Sequence, residues 1–245
     1  MGLAANDVYQ GDCLELMSKL DDKSVDMILC DLPYGTTACA WDVVIPFDKL
    51  WEQYKRVAKP NAAIVLTAAQ PFTSALVTSN IKNFKQELIW SKGKGSNPLL
   101  AKKRIMQAHE NVVVFCYGKL PYNPQMLPGK PYKAPRTGGN RTNSITGTKA
   151  DKDGFKQEDN TGFRYPLSVL EYSIHCGSKL HPSQKPVELF EYLIKTYSNP
   201  NDIILDNCAG SGTTGAAAIN TNRNFILMEQ DPHYWQVCKT RLNLK

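Results

Sequence analysis

Short apolar runs of strand length alternate with amphipathic helical patterns in both halves of this chain, and few folds can bury such a pattern. Residues 25–30 form an apolar run closed by Asp31. Residues 46–58 then place Phe47, Leu50, Trp51, Tyr54 and Val57 on one helical stripe. Lys59-Pro60-Asn61 ends that helix, and residues 62–67 read as a second strand. A helix over 70–79 and strands over 84–90 and 111–117 follow. The pattern returns after residue 180, with helices over 186–198, 213–221 and 232–242 and strands over 202–205 and 225–228. Strands that alternate with helices imply right-handed crossovers. The expected fold class is α/β, with a doubly wound, mostly parallel sheet.

Residues 118–180 break the rhythm. They hold 8 of the 16 glycines and 6 of the 15 prolines, which predicts a small loop-rich insertion between halves 1–117 and 181–245 of one domain. Charge follows a related division. Residues 91–180 carry 15 Lys/Arg against 6 Asp/Glu, or +9, whereas the rest carries 14 against 17, or −3. A basic segment on a slightly acidic chain suits a polyanion, although a solvated lysine-rich loop would have the same composition.

Two turns carry chemistry. Residues 203–205 lead into Asp206-Asn207-Cys208-Ala209-Gly210-Ser211-Gly212-Thr213-Thr214, a strand, a glycine turn and a helix start. Glycines there let a ligand approach the backbone, and the helix start offers free N–H groups. Glu229 ends the next strand, where a carboxylate can accept from both hydroxyls of a ribose. There is no G-x-G-x-x-G and no P-loop lysine, so a nucleoside cofactor fits better than a pyrophosphate. The second turn, Asp31-Leu32-Pro33-Tyr34, follows a buried strand. It offers a carboxylate, backbone carbonyls and an aromatic ring where α/β sheets bind ligands. Acceptors on both N–H bonds of an aromatic amine favour its rehybridisation, which frees the lone pair to attack a sulfonium methyl. Tyr34 could stack on a base drawn out of a duplex. A turn with a capping Asp and an exposed Tyr is the purely structural alternative.

Together these motifs resemble the amino-methyltransferase family of DNA methyltransferases, in the arrangement where the catalytic motif precedes the cofactor motif. Asp31-Leu32-Pro33-Tyr34 resembles the family's D-P-P-Y. Residues 206–214 resemble its D-P-F-x-G-S-G-T-T, and His181-Pro182-Ser183-Gln184-Lys185-Pro186 its H-x-x-Q-K-P. Gly11-Asp12-Cys13 and His109-Glu110 match further signatures. Leu32 departs from the usual proline, and Asn207-Cys208 from the usual Pro-Phe, whose ring packs on the cofactor adenine.

The resemblance implies a Rossmann-like methyltransferase fold, S-adenosylmethionine as donor, no metal and direct transfer to adenine N6 of a flipped-out base. N4-cytosine is the alternative; an RNA or protein methyltransferase and an inactive DNA-binding homologue are further rivals. It implies Asp31, Pro33 and Tyr34 as catalytic. It implies Asp12, Cys13, Ser183, Lys185, Asp206, Cys208, Gly210, Gly212, Thr213 and Glu229, with Asp31, at the cofactor. Lys185 and Ser183 are expected on the cofactor carboxylate. The insertion becomes the target-recognition segment. Lys92, Lys94, Lys102, Lys103, Arg104, Arg136 and Arg141 are the DNA-binding candidates, with Asn140 and Asn143 as further base readers. Related enzymes are often dimers, so a homodimer is an expectation.

Nothing suggests a membrane. No apolar run approaches the ~20 residues that span a bilayer, and the N-terminus lacks a signal-peptide pattern. Seven scattered cysteines without a C-x-x-C pair suit a reducing compartment. The expected location is the cytoplasm of a prokaryotic or phage-infected cell, where such an enzyme would serve restriction–modification, phage protection or regulation.

Overall fold

The computed structural model describes residues 2–37, 39, 41–96, 98–133, 159–174, 180–181 and 184–244. The elements in chain order are β1 (Asp7–Gln10), α1 (Cys13–Met17), β2 (Val25–Asp31), α2 (Phe47–Val57), β3 (Ala58–Ala68) and α3 (Phe72–Ser79). Next come β4 (Phe84–Ser96), β5 (Gln107–Phe115), β6 (Leu127–Pro128), β7 (Phe163–Arg164) and β8 (Val169–Glu171). The chain closes with α4 (Val187–Tyr197), β9 (Ile203–Asp206), α5 (Thr213–Asn220), β10 (Asn224–Glu229) and α6 (Pro232–Arg241).

Two compact units result: residues 1–123 with 167–245, and residues 124–166. The first holds an eight-stranded sheet in the order β1-β10-β9-β2-β3-β5-β4-β8. Only β5 runs against the others among these strands. The reason is length. About ten residues separate β4 from β5, too few for the helical crossover that parallel strands need, so they pair as a hairpin.

Strand alternation assigns each residue to one of two helical layers. Met27, Leu29, Ala63, Val65, Val112 and Val114 face the layer of α4, α5 and α6. Their neighbours Ile28, Cys30, Ile64, Leu66, Val113 and Phe115 face that of α1, α2 and α3. Both faces are covered, which is why these strands read as unbroken apolar runs. The stripe expected on α2 is the one that packs: Leu50, Tyr54 and Val57 are fully buried. Trp235 Nε1 donates to the Val8 carbonyl at 3.0 Å, tying the last helix to the first strand.

The 124–166 unit is narrower than the expected 118–180 insertion. Residues 167–171 belong to the large unit because β8 pairs parallel with β4 and adds an edge strand. The run is only three residues long, too short for its alternation to be read in sequence. Within the small unit β6 pairs antiparallel with β7, and the Arg164 guanidinium lies over the Tyr132 ring at 4.7 Å.

The two motif turns come together through this order. From β9 the chain steps outward to β10, beyond which the N-terminal β1 pairs at the edge; from β2 it steps the other way to β3. The direction in which strands are added therefore reverses between β2 and β9, which are direct parallel neighbours (Met27 opposite Ile204, Ile28 opposite Leu205). Asp31 ends one strand and Asp206 the other. Ligands bind outside the carboxyl ends of strands at such a switch point.

Candidate active site

Asp31 is held from three directions. Parallel register sets Thr67 of β3 beside it, and the Thr67 hydroxyl donates to Asp31 Oδ1. The Tyr34 hydroxyl donates to the same oxygen at 2.8 Å. Lys185 Nζ donates to Oδ2 at 2.7 Å. A carboxylate offers about four acceptor positions, so one remains for an incoming N–H. Pro33 reaches the same cavity beside them. Leu32 is 4% exposed and joins the core under α1–α3. Its side chain thus has a packing role as well as a place beside the cavity.

Lys185 departs from expectation. Its ammonium is buried between Asp31 and Glu110, 3.2 Å from Glu110 Oε2. Burial alone would lower its pKa, but the two carboxylates outweigh that and hold it raised. Glu110 Oε1 in turn pairs with Lys92, giving a line Asp31–Lys185–Glu110–Lys92 across one wall. Lys92, with a side chain only 10% exposed, belongs to that wall and not to a phosphate-facing surface. Tyr34 stacks on Phe72, with ring centroids 5.1 Å apart, so at most one ring face can receive a base. Burial and the Asp31 charge push the Tyr34 phenol well up, keeping it a donor.

The glycine turn forms the opposite wall. Glu229 accepts from the Gly210 N–H at 2.7 Å and from the Asp231 N–H at 2.9 Å. The carboxylate faces the cavity with acceptor capacity left for a further donor. Burial raises the Glu229 carboxyl. Asp206 accepts from the Cys208 N–H at 3.0 Å and from the Thr214 hydroxyl, and burial lifts its pKa to about 6. Arg241 of α6 donates to the Ser211 carbonyl at 3.0 Å and braces the turn from behind. Asp12 caps α1 by accepting from Leu14 and Glu15 N–H, so it enters the site as a helix cap.

A single cavity of about 640 Å³ joins the two walls. Asp12, Cys13, Asp206, Cys208, Gly210, Thr213 and Glu229 line one side. Asp31, Pro33, Tyr34 and Lys185 line the other. Gly212 is not among its lining residues. It takes φ +78° at the start of α5, and a Cβ there would lie 2.6 Å from Cys238 Sγ, so this glycine serves helix packing. Ser183, Arg136, Arg141, Asn140 and Asn143 lie outside the described residues. Lys94, Lys102, Lys103 and Arg104 are exposed on the β4–β5 hairpin.

Two lining residues, Trp41 and Tyr234, belong to no sequence motif and flank His181, the first residue of the His181–Pro186 segment. Trp41, His181 and Tyr234 form an aromatic run, with ring centroids 5.2 Å and 4.1 Å apart. The ring of His181 sits over Gly210. Asp42 gathers the N–H groups of Gly35, Thr36 and Thr37 at 2.7–2.9 Å, which folds the loop carrying Trp41. A lone Trp in a loop gives no sequence signal, but the aromatic missing at 208 does point to a substitute elsewhere.

These groups suit a nucleoside with a charged tail. The volume falls within the roughly 300–1,000 Å³ of small-molecule sites. The Glu229 carboxylate suits a ribose diol, an aromatic run suits a planar base, and Asp206 suits an ammonium group. Among the described residues no cluster of His, Cys, Asp and Glu could hold a metal ion. No helix of the described residues is long and apolar enough to cross a membrane.

A family model described as DNA methylase, covering N6 and N4 methyltransferases, matches residues 25–240. The chain is 28% identical to the DNA adenine methyltransferase YhdJ of Escherichia coli K12, over 99% of this chain and 84% of that protein. It is 26% identical to the type II methyltransferase M.BglII of Bacillus subtilis, over 94% of this chain and 66% of that one. Among solved structures it is similar to the M1.HpyAVI–SAM complex, with TM-score 0.65 and 25% identity over 97% of this chain and 99% of the other. It also shares its fold with the cytosine-N4-specific PvuII DNA methyltransferase, with TM-score 0.68 and 17% identity over 98% and 87% of the two chains.

Proposed function

The chain belongs to the family of N6/N4 DNA methylases, and on that premise we propose that it methylates adenine N6 of a base flipped out of DNA. The carrying observation is the partly filled Asp31 carboxylate, set in one cavity with the Glu229 and Asp206 carboxylates. S-adenosylmethionine supplies the electrophilic methyl when bound. Glu229 would accept from its ribose hydroxyls, Asp206 from its ammonium group, and the aromatic run would hold its adenine.

Asp31 uses its remaining acceptor position for one N–H of the target amine, and the Leu32 or Pro33 carbonyl accepts the other. The amine lone pair then leaves conjugation and points across the cavity. As N6 gains the methyl it must lose a proton, and Asp31, already its hydrogen-bond acceptor, is placed to take it. Tyr34, Thr67 and Lys185 fix the carboxylate orientation. Asp31 at the head of the motif favours adenine over cytosine, where the family motif usually begins with Ser.

The test is methyl transfer from radiolabelled cofactor to DNA with adenine as its only amino-bearing target, to cytosine-only DNA, and to RNA and protein. Label only in adenine DNA is expected; label confined to cytosine DNA would overturn the base assignment. Asp31→Ala is expected to abolish transfer while calorimetry still detects cofactor binding, and persistent turnover would remove Asp31 from its role.

A further inference from the structure

The hairpin of β4 and β5 does two things at once. Its arms line the cavity through Lys92, Ser96, Gln107 and Glu110. Its tip, residues 98–106, carries the two most exposed large aliphatic side chains among the described residues: Leu99 at 95% and Ile105 at 96%. Single exposed aliphatics are ordinary on a protein surface. These two share one tip, and Lys102, Lys103 and Arg104 lie between them, all exposed. The loop of residues 41–46, which also lines the cavity, presents Val43 at 68% exposure.

We infer that Leu99 and Ile105 enter the DNA base stack beside the extruded target, while Lys102, Lys103 and Arg104 hold the flanking phosphates. This rests on the reading of the chain as a base-flipping DNA methyltransferase. A base drawn into the Asp31 cavity leaves a gap in the duplex, and closing of the stack competes with catalysis. An apolar side chain in the gap replaces the lost stacking contact, as wedge residues do in proteins that distort DNA. Cations alone would bind DNA without opening it. Aliphatics alone would have no reason to meet it. Their combination on the hairpin that builds the cavity wall selects a partly opened duplex as the partner.

The target base is first located by sequencing plasmid DNA methylated by the wild-type enzyme. Two synthetic duplexes then carry that site, one fully paired and one with an abasic position opposite the target base, which removes the pairing to be broken. The double variant Leu99→Ser, Ile105→Ser is expected to transfer methyl to the paired duplex about tenfold more slowly than wild type and to recover most of that loss on the abasic duplex. The triple variant Lys102→Ala, Lys103→Ala, Arg104→Ala is expected to weaken binding of both duplexes without recovery. Unchanged cofactor affinity by calorimetry shows that each variant is folded. Wild-type rates for the double variant on the paired duplex, or an equal loss on both duplexes, would overturn the wedge. A wild-type enzyme that methylates no DNA would instead overturn the functional reading, and the wedge with it.

Discussion

Asn207 and Cys208 stand where related motifs carry proline and phenylalanine, and each has a local explanation. Asn207 is 2% exposed, and its Oδ1 accepts from the buried Tyr54 hydroxyl at 2.5 Å. A polar residue there is tolerated because α2 brings a donor to it. Tyr54→Phe removes the donor and leaves a buried acceptor unpaired, so a loss of about 1–3 kcal/mol in unfolding free energy is expected. Urea denaturation would measure it, and an unchanged midpoint would mean that Asn207 finds another donor. Cys208 sits in thiol contact with Cys13 and Cys30. Burial pushes the Cys30 thiol to about 12, so it stays protonated and packs as a small apolar group. Asp206 gives a pH prediction. Its pKa of about 6 means that the carboxyl is neutral below that pH and ionised above it. An ammonium ligand needs the ionised form. Cofactor affinity should therefore be flat above pH 6 and fall toward about tenfold per pH unit below it. Asp206→Asn should remove that limb in calorimetric titrations. If the limb survives, it belongs to Glu229, which burial also raises.

At the scale of elements, the cofactor wall depends on how α5 begins. Gly212 takes a left-handed conformation where the chain turns from β9 into the helix, with Cys238 of α6 directly behind it. An alanine would meet both obstacles, the backbone strain and the 2.6 Å approach to Cys238 Sγ. Together these should cost roughly 2–5 kcal/mol. Gly212→Ala is expected to lower the melting temperature and weaken cofactor binding together, because α6 also supplies the Arg241 brace. A variant that melts like wild type would show that α6 can shift to make room. On the other wall, the parallel register of β2 and β3 sets Thr67 beside Asp31, a pairing that neither strand's own sequence reveals.

For the whole molecule, the uneven charge makes a prediction about how DNA would be met. The three adjacent cations Lys102, Lys103 and Arg104 are exposed, whereas Lys92 is paired with Glu110 inside the cavity wall. Removing the three should reduce the slope of log K against log salt by up to about 2.7, at 0.9 per phosphate contact. Fluorescence anisotropy with a duplex at several salt concentrations would measure it. An identical slope would mean that the three cations contact no phosphate. Lys92→Ala should leave the slope unchanged.

The helical stripe of α2 and both motif turns were legible in the sequence, because each is encoded within a dozen consecutive residues, and the α/β class followed from the alternation of such local patterns along the chain. Periodicity reports which face is apolar, and glycine, proline and acidic residues mark the turns. The sequence could not say that β2 and β9 are neighbours. Nor could it reveal that Lys185 lies between Asp31 and Glu110, that Trp41 and Tyr234 flank His181, or that the glycine at 212 faces a helix instead of the cavity. Those facts depend on which distant segments meet across the sheet. Burial energy over the whole domain decides that, and no local pattern records it.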